Sequence, residues 1–206
     1  MFERVFVFHA TVLLDEPYWV FDFTKPNSSP WLHHFKYTVG RYDETRPSMY
    51  EAALFENKRN HHVGIDIGAP VGTPIYAFGD GEIFMFQNNA EEGSYGPTLI
   101  TKHTLSLPSK IGSEEIGEVQ TFWVLYGHLS SDVLTMWTAG QSFAEGEVLA
   151  YIGNEHENGG WAPHVHVQIS RIEPKVCDLP GVVALEDRSQ ALLDFPDPRL
   201  ILGPIY

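Results

Sequence analysis

Short runs rich in β-branched and aromatic residues recur along the chain, and most of them are bounded by Gly, Pro, Asn or Asp. These runs include RVFVFHATVLL, HFKYTV, TPIYAF, GEIFMF, TLITKH, QTFWVLYGH, GEVLAYIG and HVHVQI. Such residues suit a pleated, half-buried surface, and frequent turn residues favour short connections between neighbouring strands. The pattern therefore predicts an all-β fold with a mainly antiparallel sheet.

Length and composition predict a single globular domain over residues 1–206. A chain of 206 residues can bury one core, and 43% hydrophobic with 19% charged residues is typical of a folded protein. Lys and Arg number 13 against 27 Asp and Glu, which gives a formal net charge of −14. Because nucleic acids are bound mainly through Lys and Arg, this balance argues against a nucleic-acid partner.

The N-terminal stretch MFERVFVFHATVLLDEP places one arginine ahead of an apolar run, as a secretion signal does. Glu3 offsets the charge of Arg4, His9 interrupts the apolar run, and no small-residue cleavage site follows. The alternating valines and aromatics favour a β-strand there instead. No stretch approaches the roughly 20 apolar residues of a membrane span. We therefore expect a cytoplasmic protein without a membrane span, with a periplasmic or extracellular location as the alternative if a leader has been removed from the chain.

Two segments depart from the strand pattern. Residues 104–120, TLSLPSKIGSEEIGEVQ, are mostly polar and predict a long hairpin loop between two strands. Residues 171–206 predict an extended C-terminal wrap with a short helix near residues 186–193. A faint similarity between APVGTPIYAFGDGEI and TAGQSFAEGEVLAYIG is compatible with two similar β halves.

The histidines are paired in the motifs HHVGID and PHVH. His164 and His166 are at positions i and i+2 of a predicted strand, so both side chains project from the same face. His62 and Asp66 are at i and i+4, which an extended strand separates by about 13 Å. The chain must therefore bend between them, and Gly64 tolerates the bulge and turn dihedrals that a bend requires.

Two imidazoles and one carboxylate form a ligand set for catalytic zinc, with a fourth position left to water. One cysteine, Cys177, excludes a Cys-rich zinc site, and HENGG lacks the second histidine of an H-E-x-x-H helix. Spacing alone does not choose between His166 and His164, or between His62 and His61.

Three motifs together resemble the lysostaphin-type zinc endopeptidases. They are RNHHVGIDIGAPVGTPIYAFGDGEI, LYGHLS and PHVHVQI, which occur in that family's order within residues 40–170. The resemblance implies a duplicated β-hairpin sandwich, with residues 40–170 as the peptidase core. It also implies that His62, Asp66 and His166 bind one zinc ion and that His128 and His164 are the catalytic histidines.

The resemblance further implies hydrolysis of peptide bonds, in cell-wall peptides or in soluble fragments of them. A non-catalytic module on the same fold is the alternative, but it has no chemical need for four site histidines and an aspartate. A sugar-phosphotransfer carrier with a histidine pair is a further alternative, and its chemistry does not need Asp66. The charge of −14 is unfavourable for an anionic wall polymer, which makes intact wall the less favoured substrate.

Overall fold

The structure is a computed structural model that describes residues 8–25, 34–47, 49–50, 52–56, 58–113 and 115–206. Strands account for 39% and helices for 12% of it, which confirms the predicted all-β fold class. The strands are β1 Tyr18–Val20, β2 Tyr37–Gly40, β3 Glu44–Thr45, β4 Arg59–His62, β5 Ile65–Gly68, β6 Pro74–Tyr76, β7 Gly81–Asn89, β8 Gly96–Pro108, β9 Ile116–Gly127, β10 Ser142–Phe143, β11 Val148–Tyr151, β12 His164–Ser170 and β13 Val182–Ala184. The helices are α1 Val133–Met136, α2 Arg188–Asp194 and α3 Arg199–Leu202, with 3-10 turns at Ala53–Phe55 and Leu185–Asp187.

One eight-stranded sheet carries the fold, in the order β1-β2-β5-β12-β9-β8-β7-β10. Its neighbours pair antiparallel except for β1 and β2, which run parallel. Two smaller sheets contain β11-β6 and β13-β4-β3. The two stretches with faint sequence similarity pair with one another, β6 with β11 and β7 with β10. This reciprocal pairing is consistent with two similar halves.

Both faces of the central strands are buried, which explains why the run FWVLY in β9 does not alternate with polar residues. Phe122, Val124 and Tyr126 belong to the larger apolar cluster on one face. Trp123 and Leu125 belong to a second cluster on the other face. The C-terminal segment covers that second face with side chains that include Cys177, Leu179, Val183, Ala191 and Phe195.

The prediction of a long loop at residues 104–120 is wrong. β8 and β9 continue through most of this segment and pair as far as Pro108 and Ile116. Their tips extend beyond the core, where Ile116 is 51% and Val119 is 67% exposed. Leu107 on β8 stays buried in the larger apolar cluster, whereas most residues of the β9 arm are exposed. The polarity of the segment therefore reflects exposure and not irregular backbone.

The predicted N-terminal strand lies partly outside the described residues, and its described part, residues 8–14, is not a strand. Separate backbone hydrogen bonds connect it to the core, from His9 N to Phe78 O and from Tyr76 N to Thr11 O. Val12 is buried there. Residues 8–14 therefore pack on the core without a strand ladder. In the described part of the chain, no helix is long and apolar enough to cross a membrane.

Candidate metal centre

The motif HHVGID joins two strands that belong to different sheets. β4 ends at His62 and pairs with β3 and β13, whereas β5 begins at Ile65 and pairs with β2 and β12. Val63 and Gly64 connect the two strands, so the extended backbone is interrupted between the histidine and the aspartate, as the spacing predicted. His62 Nε2 consequently lies 3.2 Å from Asp66 Oδ1.

Gly64 is needed for a different reason from the one the sequence suggested. Its φ is not in the left-handed region, so the bend itself does not require glycine. A β-carbon at this position would lie 2.2 Å from His166 Cε1 and 2.4 Å from His166 Nε2. The imidazole of His166 therefore packs directly against the backbone of residue 64, and that close approach excludes a side chain.

Replacing Gly64 with alanine is expected to displace His166 and to weaken zinc binding sharply, because the neighbouring ring cannot stay where it is. Gly79→Ala is a matched control, since its β-carbon would meet only ordinary contacts, the nearest at 3.5 Å from Leu105 Cδ2. Zinc retention after dialysis, measured on both folded variants, checks this expectation. Equal zinc content in the two variants would contradict it.

The motif PHVH lies on β12, which pairs with β5 so that His166 is directly opposite Asp66. His164 and His166 share one face of the strand, while Val165 and Val167 join the larger apolar cluster on the other. His166 Nδ1 lies 2.9 Å from Asp66 Oδ1 and 3.1 Å from His62 Nε2. His164 lies farther out, with Nε2 3.9 Å from Asp66 Oδ1.

His62, Asp66 and His166 are thus the residues whose ligand atoms converge. His62 Nδ1 donates a hydrogen bond to Arg41 O at 2.8 Å, which leaves Nε2 as an acceptor. His166 Nε2 donates to Gln168 Oε1 at 3.1 Å, which leaves Nδ1 as an acceptor. Two imidazole lone pairs and one carboxylate oxygen therefore face one another, an arrangement that a divalent cation stabilises.

The spacing of these three atoms fits zinc. Tetrahedral zinc with ligands at 2.0–2.1 Å has ligand atoms about 3.3 Å apart. The three separations here are 2.9, 3.1 and 3.2 Å. Two imidazoles with one carboxylate also form a donor set that zinc accepts, so the residues fit the ion that the sequence predicted.

His61 lies outside this cluster although it adjoins His62. Its Nδ1 is 2.9 Å from Thr45 Oγ1, and its Nε2 is 2.7 Å from Asp43 Oδ1. Asp43 in turn accepts hydrogen bonds from the guanidinium of Arg188 on α2. His61 therefore links β4 to α2 through Asp43.

The rings of His128 and His164 lie together beside the ligand cluster, with centroids 4.2 Å apart. His128 Nδ1 donates to Asn158 O at 2.8 Å, and His164 Nδ1 donates to Ala162 O at 2.7 Å. Both rings therefore keep Nε2 as their acceptor atom. His128 has a φ of 63°, a left-handed conformation that is uncommon for non-glycine residues and often marks functional sites.

Burial favours the neutral form of these rings. It lowers the pKa of His62 to about 4, holds the pKa of His128 well below its usual range, and lowers the pKa of His164. Burial alone would raise the pKa of Asp66, but electrostatic interaction with His62 and Arg46 and the close contact with His166 hold that pKa well below its usual range. Neutral imidazole and ionised carboxylate are the forms that bind a metal ion.

The sequence did not indicate Arg46, whose Nη1 lies 2.7 Å from Asp66 Oδ2. It occurs in the polar stretch DETRPSM, where an arginine is ordinarily exposed. Only its position beside β4 and β5 in the folded chain brings it to the site.

The converging residues open onto a cleft of about 910 Å³. Trp161 lines it beside His128, with ring centroids 6.2 Å apart, and Tyr50 lies next to Trp161 at 5.9 Å. The C-terminal segment supplies part of another wall through Val176, Asp178 and Leu179. The cluster is thus accessible from a cleft whose volume is in the range of ligand-binding sites.

Comparison with known proteins places this chain in a family. The model of peptidase family M23 matches residues 60–178, and the chain belongs to that family. It is 28% identical over 108 residues to the peptidoglycan DD-endopeptidase ShyA of Vibrio cholerae, covering 52% of this chain and 20% of that protein. It is 31% identical over 107 residues to the DD-carboxypeptidase/endopeptidase Mpg of Neisseria meningitidis, covering 52% of this chain and 19% of that protein.

Among solved structures, the chain is similar to the catalytic domain of the antimicrobial peptidase lysostaphin from Staphylococcus simulans. The identity is 18% and the TM-score 0.44, covering 81% of this chain and 98% of that chain. The chain spans about a fifth of the length of the curated relatives described above. Family membership confirms the resemblance carried by the three sequence motifs.

Proposed function

We propose that this chain is a zinc-dependent endopeptidase that hydrolyses peptide bonds in peptidoglycan peptides, with soluble fragments preferred over intact wall. The observation that carries the proposal is the convergence of His62, Asp66 and His166 beside two further imidazoles in a member of peptidase family M23. The names of the relatives ShyA and Mpg support peptidoglycan as the substrate class.

His62, Asp66 and His166 would hold the zinc ion, which when bound supplies a Lewis acid that polarises a carbonyl and acidifies water. Each histidine ligand is oriented by a second hydrogen bond, His62 by Arg41 O and His166 by Gln168 Oε1. Such outer partners fix the tautomer and the direction of the ligand atoms. The chain therefore presents its donors in a fixed arrangement.

His128 and His164 would be the general acid and base of the reaction. Each ring donates its Nδ1 hydrogen to a backbone carbonyl, so Nε2 is available to take a proton from water or to pass one to the leaving amine. The protonated ring would then be a hydrogen-bond donor to the negative charge that develops on the substrate oxygen. No glutamate is needed for this division of roles, in agreement with the lack of an H-E-x-x-H motif.

We expect purified cross-linked muropeptides to be cleaved faster than intact sacculi at low salt. The formal charge of −14 repels an anionic wall polymer, and screening relieves this repulsion because the Debye length falls from about 10 Å at 0.1 M salt to about 3 Å at 1 M. Mass spectrometry of both digests across a salt series checks the substrate class and the preference together. An absence of muropeptide cleavage would contradict the function, and faster hydrolysis of sacculi at low salt would contradict the preference.

A further inference from the structure

Arg46 is the buried cation of the site. Its exposed fraction is 2%. Its guanidinium contacts two carboxylates, Glu44 Oε2 at 3.0 Å from Nε and Asp66 Oδ2 at 2.7 Å from Nη1. We infer that Arg46 is a positioning residue that fixes the Asp66 carboxylate for metal binding, an inference that rests on the proposed function.

The two oxygens of Asp66 have separate partners. Oδ2 accepts the hydrogen bond from Arg46, whereas Oδ1 lies 2.9 Å from His166 Nδ1 and 3.2 Å from His62 Nε2. A carboxylate held at one oxygen by a planar guanidinium cannot rotate without breaking that charge-assisted hydrogen bond. Arg46 therefore directs Oδ1, and not Oδ2, toward the two imidazole nitrogens.

Arg46 is itself fixed by strands that carry the ligands. Glu44, its other ion-pair partner, lies directly opposite His62 in the β3–β4 pair. Arg41 O accepts both the Arg46 Nη2 hydrogen bond at 3.2 Å and the His62 Nδ1 hydrogen bond at 2.8 Å. Arg41 O and the Arg46 guanidinium thus connect His62 with Asp66. A movement of Arg46 would therefore disturb both of these proposed ligands.

The backbone leaves space for the ion pair between Arg46 and Asp66. Gly40 lies opposite Asp66 in the β2–β5 pair. A β-carbon on Gly40 would lie 2.8 Å from Arg46 Nη2 and 3.0 Å from Asp66 Oδ2. Tyr50 completes the surroundings through its hydroxyl, which is 3.0 Å from Arg46 Nη1. Gly40, Glu44, Arg46 and Tyr50 all precede residues 60–178, so this support is additional to the part of the chain that the family model matches.

A purely structural ion pair and a positioning residue differ in one measurable respect. Loss of a structural pair lowers stability but leaves a folded protein with unchanged metal affinity. Loss of a positioning contact lowers metal affinity in the folded protein, and outer partners of metal ligands typically contribute about 10- to 100-fold. Zinc affinity, measured independently of catalysis, separates the two.

The experiment compares the full-length parent with Arg46→Met, Arg46→Lys and Arg188→Gln. The first removes the guanidinium, the second keeps a charge that cannot bridge both carboxylates, and the third breaks the ion pair with Asp43 beside the non-ligand His61. The dissociation constant for zinc is measured by competition with a chromophoric chelator on folded, metal-free protein. The visible spectrum of the cobalt-loaded protein reports the ligand arrangement separately.

We expect Arg46→Met to bind zinc about 10- to 100-fold more weakly with an altered cobalt spectrum, Arg46→Lys to be intermediate, and Arg188→Gln to match the parent. A folded Arg46→Met with the parent's affinity and spectrum would overturn the inference while leaving the proposed function intact. If Arg46→Met does not fold, parental affinity in Arg46→Lys would overturn it equally. A parent chain that binds no zinc would overturn the proposed function and the inference together.

Discussion

Replacing His128 or His164 with alanine is expected to lower the turnover of a cleavable muropeptide by about 10² to 10⁴, the range that a general acid or base contributes. Neither ring belongs to the group of converging ligand atoms, yet each lies beside it with Nδ1 bonded to a carbonyl and Nε2 as its acceptor. Zinc content should therefore stay at the parental value in both variants while the rate falls. Steady-state turnover and elemental analysis on the same preparations check both statements.

Two further variants serve as controls for the alanine replacements of His128 and His164. His128 has a φ of 63°, which asparagine tolerates better than alanine, so His128→Asn separates loss of the imidazole from backbone strain. His156→Ala is the matched control, because His156 is exposed and its ring lies outside the metal cluster. Parental turnover in His128→Asn, or loss of zinc from His164→Ala, would contradict the assigned roles. In the second case His164 would have to be a ligand.

Replacing Asp66 with alanine is expected to reduce zinc affinity by more than the roughly 10- to 100-fold that loss of an outer partner costs. Asp66 supplies the anionic ligand atom of the group, and its removal also leaves the buried Arg46 without one of its two carboxylate partners. We therefore expect lower stability together with the loss of metal. Zinc content after dialysis of a folded preparation is the measurement.

Asp178→Ala is a suitable control for that variant. Asp178 is an exposed carboxylate that lines the cleft, and it is not among the converging ligands. Its removal changes the net charge by the same amount as the removal of Asp66 and should leave zinc in place. Full zinc occupancy in Asp66→Ala would show that Asp66 is not a ligand.

The sequence encodes the strands more directly than it encodes the choice of ligand residues. Runs such as TLITKH and HVHVQI form strands because their side chains fit a buried sheet, and that preference is local. The i, i+2 spacing of His164 and His166 likewise fixes a shared face through strand geometry alone. Spacing could not choose which histidine faces Asp66, because the choice depends on the register of β12 against β5.

Other features depend on contacts between distant segments. Glycine at position 64 makes room for a ring 102 positions later in the chain, so the local preference for bends gave the wrong reason for it. Arg46 reaches Asp66 only because β2, β3, β4 and β5 assemble around it. Residues 104–120 were predicted as a loop because a solvated hairpin and a loop have similar composition.

The most direct test of zinc-dependent hydrolysis is a titration of metal-free protein with zinc while the cleavage of a purified cross-linked muropeptide is followed by mass spectrometry. We predict that the metal-free chain is inactive and that the cleavage rate rises linearly with added zinc, reaching its plateau at one zinc per chain. Cleavage that persists unchanged after the metal has been removed, or no cleavage at any zinc concentration, would contradict the account.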